Sequence, residues 1–198
     1  MMTGTERVWS LDIGLPDWLS IPSQVREIDW WRPAVALVFE TLSEPDLQLR
    51  DPDSTPGTLT GVDAAIDTLL EFSESLPEDY RLVAFLGLQD AWPLPVVVTV
   101  TAAGDDPQDL LAAAGARGGQ PIELPIVDYL PDELGDGIRV TRFDLDESGA
   151  VWATVTCARR EDDVDTILTW RTNRLDLVPR FSPVLESLLG AVRVGSAA

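Results

Sequence analysis

Positions 62, 65, 66, 69, 72, 73 and 76 recur three or four apart and carry Val62, Ala65, Ile66, Leu69, Phe72, Ser73 and Leu76, while Asp63, Asp67, Glu71, Glu74 and Glu78 fall on the other side. That period is an amphipathic helix with one buried and one solvated face. Thr60 and Asp63 have capping-box spacing at its start, and Pro77 stops it. From Tyr80 the pattern turns extended: Arg81 to Leu88 and Leu94 to Ala102 read as strands, the second rich in valine and threonine. Asp106-Pro107 then opens a short alanine-rich helix that Gly115 ends, and Gly118-Gly119 carries the chain onward.

The last third predicts an antiparallel meander. Strands are expected at about Ile122 to Tyr129, Gly137 to Asp144, Ala150 to Arg159 and Val164 to Thr172, separated by polar turn clusters. A closing helix follows, with Ser182 as N-cap, Pro183 at its first position and Phe181, Leu185, Leu188 and Val192 as its apolar stripe. Upstream, Arg7 to Ile13 alternates as a short strand and Leu15 to Trp18 reads as a turn. Pro22 and Pro33 suit the first turns of helices, the second carrying a largely apolar stretch to Leu42. Ser43 to Gly61, with three prolines, is the best loop candidate. The expectation is an α+β fold: a mostly antiparallel sheet of five or more strands with helices packed on it, in one domain over 1–198. Its parts are a helical segment at 20–77, a sheet-rich part at 80–173 and a closing helix at 181–193.

Composition narrows the chemistry. All 14 basic side chains are arginine, and the 198 residues contain neither lysine nor histidine. Without them there is no imidazole base or ligand, no Schiff base and no phosphate-loop lysine. Cys157 is the single cysteine and lies in an alternating apolar run, so it is read as a reduced, buried thiol. The sequence presents no catalytic residue, no metal-ligand set and no cofactor motif. Asp144 to Gly149 has the spacing that opens a calcium loop, but its twelfth position is Val155, where that loop needs a glutamate; a polar hairpin turn fits better. Asp105-Asp106-Asp109 and Asp162-Asp163-Asp165 read as a helix start and a turn.

A net charge of −20 repels phosphate backbones and anionic lipid and suits a basic protein partner. Between Glu40 and Asp79 there are eleven acids and one base, Arg50, which predicts an acidic ridge over the loop and the exposed helix face. Asp63, Asp67, Glu71 and Glu74 are its candidate partner-binding residues. Trp30 and Trp31 join them, because adjacent helix positions point about 100° apart and cannot both face one core stripe. The longest uncharged run, Ala91 to Gly104, has 14 residues and two prolines, too short for a membrane span, and no signal segment is evident. A cytoplasmic protein is therefore expected.

Leu15-Pro16 followed by Trp18, the meander ending in Leu168-Thr169-Trp170-Arg171-Thr172 and the helix Phe181 to Val192 give an order of segments that resembles uncharacterised actinobacterial proteins. Some of these lie near type VII secretion genes. The shape is similar to the PsbP/Mog1-like α-β-α sandwich, which includes the LpqN lipoproteins, over residues 80–194. The resemblance implies a binding or accessory role and transfers no catalytic residue. The lipoprotein signal and its cysteine are not matched in this sequence. The functional expectation is a non-enzymatic accessory protein, of adaptor, chaperone or immunity type, docking a basic or hydrophobic protein partner and linked to a secretion or toxin system. The alternatives are a carboxylate- or divalent-metal-dependent enzyme and a structural subunit of a larger assembly.

Overall fold

The computed structural model describes residues 15, 17–23, 31–35, 38, 60–88, 93–131, 136–161 and 163–193. The strand expected at Arg7 to Ile13, most of the 43–61 loop, Trp9, Trp30, Trp92 and Asp162 lie outside them. The fold is α+β, and every strand pairing in it is antiparallel. Two compact units divide the chain, Asp17–Pro95 and one built on Val96–Ala198.

In the first unit, β1 (Trp18–Ile21) pairs with β2 (Tyr80–Phe85). β1 occupies a place where the sequence predicts a turn running into helix. Four residues are too short to show a period, and the strand exists because its partner does: Trp18 lies opposite Phe85, with ring centroids 5.0 Å apart. Residues 31–35 and 38 are helical. The expected acidic helix forms as α1 (Thr60–Ser75). Among its described side chains Ile66, Leu69, Leu70 and Ser73 are buried, whereas Phe72 is exposed, so the stripe is rotated toward Leu70. The Ser73 hydroxyl donates to the Pro22 carbonyl and ties α1 to the end of β1.

The second unit carries five strands in the order β3 (Leu94–Ala102), β7 (Val164–Thr172), β6 (Val151–Glu161), β5 (Asp136–Leu145), β4 (Ile126–Tyr129). β3 and β7 match the sequence expectation, β5 extends one residue beyond it at each end, and β6 starts one residue later and ends two later. β4 is half as long as expected, beginning after Pro125, which has no N–H to give the ladder.

Alternation along the central strands splits the side chains between two faces. On one face, Val155, Cys157, Leu168 and Trp170 are covered by α3 (Val178–Ala191), whose Phe181, Leu185, Leu188 and Leu189 are fully buried together with Leu177 and Val192 at its two ends. Trp170 meets Phe181 edge-on at 4.7 Å between centroids. On the other face, α2 (Pro107–Ala113) sets Leu110 and Ala114 against Ile138, Val140 and Ala158. Its ends are built as the sequence predicts. The Asp106 side chain accepts from the Gln108 N–H, and Gly115, at φ 81°, closes a Schellman motif in which Ala116 N–H reaches Leu111 O and Gly115 N–H reaches Ala112 O.

One cap differs. α3 begins at Val178, after a short 3-10 turn at Leu175–Leu177, so Ser182 is not its N-cap. Pro179 takes the first-turn place expected for Pro183, and Ser182 lies inside the helix with its hydroxyl donating to the Val178 carbonyl at 2.7 Å. Burial of Leu177 and Phe181 draws the chain into helix a turn earlier than the second proline suggests. No helix among the described residues is long and apolar enough to cross a membrane.

Because α3 closes one face of the second unit, truncating its centre should open a cavity. Leu188→Ala is expected to lower unfolding free energy by about 2–5 kcal/mol in urea titrations, with the slope unchanged.

Candidate functional site

α1 presents its carboxylates as the sequence predicts. Asp63, Asp67, Glu71 and Glu74 are exposed on one side of the helix, with Glu78 exposed just beyond its end. Arg32 reaches two of them, bonding Asp67 and lying 3.9 Å from Asp63. Among the described residues that cation is the one ion-paired with this face, which keeps a surplus of negative charge. Trp31 does not belong to the face. It is only 4% exposed, and its indole N–H donates to the Ser20 carbonyl at 2.9 Å, which makes it a core residue of the first unit. Placing an indole in a core requires a partner for its N–H, and β1 supplies one that the sequence did not reveal. Trp30 lies outside the described residues.

The second unit carries two surfaces that sequence patterning did not single out. The first is a cup of about 260 Å³ on the α2 side of the sheet, floored by Thr154, Thr156 and Thr169 and walled by Arg142, Asp144 and the Ala114–Gly115 end of α2. Arg142 is already committed there: Nε and Nη2 donate to Asp144 and Nη1 to the Gly118 carbonyl. What the cup offers is threonine hydroxyl, not a spare guanidinium.

The second is the β4 margin. Leu124 is 88% exposed, Tyr129 81% and Ile126 49%, with Ile122 and Leu145 also exposed. These exposed apolar side chains lie on both faces of the margin, at a strand that ends the sheet. Arg139 on β5 holds β4 in place, donating 2.7 Å to Asp128 across the ladder and also to Glu186 of α3. Short strands and prolines hide such a patch from periodicity; only the exposure of each side chain reveals it.

The other sequence candidates resolve into structure. Asp144 to Gly149 is a hairpin turn organised by Asp146, whose Oδ1 accepts from Ser148 N–H, the Ser148 hydroxyl and Ala150 N–H while Oδ2 accepts from the Trp152 indole. Gly149, at φ 84°, takes the left-handed position. Arg171 stacks over the same indole, 4.8 Å from its ring centre. Asp165 is buried in a two-point bond with Arg160, 2.7 and 2.8 Å long. Among the described residues, no three acidic or cysteine side chains converge as a metal site would require. Burial pushes the Cys157 thiol up to about 12, with Glu186 adding to the rise and Arg139 opposing it, so sulfur stays protonated near neutral pH.

No family model and no curated protein matches the chain.

Hydrogen bonds from Ser148, Trp152 and Ala150 hold the Asp146 carboxyl down at about 2, against 3.8 for the free side chain. A folded-state value below the unfolded one contributes stability that is full above about pH 4 and is lost as pH falls toward 2. Asp146→Ala is therefore expected to melt at a lower temperature than the parent at pH 6. The gap should narrow at pH 2, as read by circular dichroism.

Proposed function

We propose that this protein is a non-enzymatic acidic binding protein, of adaptor, chaperone or immunity type, that docks a basic protein partner. The observation that carries the reading is the exposed carboxylate face of α1, where Asp63, Asp67, Glu71 and Glu74 stand in solvent on a chain of net charge −20. A long-range field of one sign steers a partner of the other sign and sets its encounter rate. The buried, protonated thiol of Cys157 and the lack of histidine and lysine remove thiolate, imidazole and ammonium chemistry and leave such work to carboxylates and hydroxyls, which favours binding over catalysis. A place in a secretion or toxin system, and in the cytoplasm, rests on the resemblance in segment order and the composition.

The test is affinity purification of the tagged chain from its native cells beside the variant Asp63→Asn, Asp67→Asn, Glu71→Gln, Glu74→Gln. A basic protein should co-elute at low salt and be lost at high salt. Its recovery on the variant should fall by about tenfold, since exposed charges act additively at modest strength each. The same partners at the same yield on both proteins would overturn the reading.

A further inference from the structure

We propose that the outer margin of β4 accepts one further β-strand, supplied by an extended segment of a partner protein in which apolar side chains alternate with cationic ones. The surface is separate from the carboxylate face of α1, and the proposal stands whether or not that face docks a partner.

The backbone makes the first argument. β4 lies at the end of the strand order and, among the described residues, pairs with β5 alone. Leu130 N–H bonds the Gly137 carbonyl at 2.9 Å, and the register continues through Asp128 opposite Arg139 and Ile126 opposite Thr141. Bonded pairs alternate with non-bonded ones in an antiparallel ladder. The N–H and C=O groups of Ile126, Asp128 and Leu130 therefore point toward β5, and those of Val127 and Tyr129 point outward. Pro125 and Pro131, which have no N–H, bracket the pair and limit the offer to a stretch of about five residues.

Side chains and charge say what kind of strand fits. β4 has protective features of a natural edge, being four residues long between two prolines with Asp128 on it, yet Leu124, Ile126 and Tyr129 beside these are well exposed. Ile126 and Asp128 stand on the α3 side of the sheet and Val127 and Tyr129 on the α2 side, so an incoming strand meets apolar neighbours on both faces. Among the described residues of this margin Glu123, Asp128 and Asp136 are acidic; Arg139 pairs with Asp128, and Glu123 and Asp136 stand exposed. Cationic positions on the incoming strand would meet opposite charge. The same acids argue against a second copy, since pairing two β4 margins would bring like charges together on two chains of −20 each.

The test uses the full chain and a seven-residue peptide alternating arginine and valine, with a glutamate–valine peptide and a backbone N-methylated arginine–valine peptide as controls. Amide hydrogen exchange read residue by residue should slow about tenfold or more at Val127 and Tyr129 with the arginine–valine peptide and with neither control. Tyr129→Pro removes an outward N–H without touching the β5 ladder, and should weaken binding about tenfold by fluorescence anisotropy. Should that variant melt early, Tyr129→Arg keeps the backbone, repels the cationic strand and should give the same loss. The proposal is overturned if millimolar peptide leaves those two amides unprotected. It is equally overturned if the peptide protects other sites with affinity unchanged in both variants, or if protection at β4 arises from self-association of the chain without peptide.

Discussion

Covering the apolar stripe of α3 is the constraint from which the second unit follows. Leu177, Phe181, Leu185, Leu188, Leu189 and Val192 are almost wholly out of water, and only a sheet face of matching apolarity can achieve that. Val155, Cys157, Leu168 and Trp170 supply it from β6 and β7, so those two strands must be central and must keep their register: a one-residue slip would turn polar neighbours such as Thr154, Thr169 and Arg171 toward the helix. Once β6 and β7 are central, β5 and β3 flank them and β4 falls at the margin. The position of the strand with the exposed apolar side chains is thus a consequence of where the helix sits.

Three arginines complete this arrangement. Arg139 joins β4, β5 and α3 through Asp128 and Glu186, Arg160 clasps Asp165 across β6 and β7, and Arg159 caps the end of α3 by donating to the Val192 carbonyl at 2.7 Å. A guanidinium with several donors in a fixed plane suits such multi-partner contacts better than an ammonium would. With these three cations engaged, and 34 acids against 14 arginines in the chain, negative side chains outnumber positive ones. The exposed acids of α1 and those around β4 belong to different units but share that electrostatic character.

Much of the architecture was legible along the chain because its signals are local. α1 announces itself by period and α2 by an aspartate–proline start and a glycine stop; the four long strands do so by alternation between polar turns. The failures have one cause in common, which is dependence on a distant partner. β1 is a strand because β2 lies beside it, Trp31 is core because the Ser20 carbonyl receives its N–H, and α3 starts early because Leu177 and Phe181 are buried. None of those conditions can be seen in neighbouring residues.

The sequence by itself determined the α+β class, the places of most elements, the acidic face of α1 and the removal of imidazole and ammonium chemistry, since each depends on residue type or on a repeat of two to four positions. Tertiary structure alone decided which strand ends the sheet and which aromatic residues are buried. Exposure and hydrogen-bond partnership arise between segments far apart in the chain, and a surface such as the β4 margin comes into being only when the strands have been put in order.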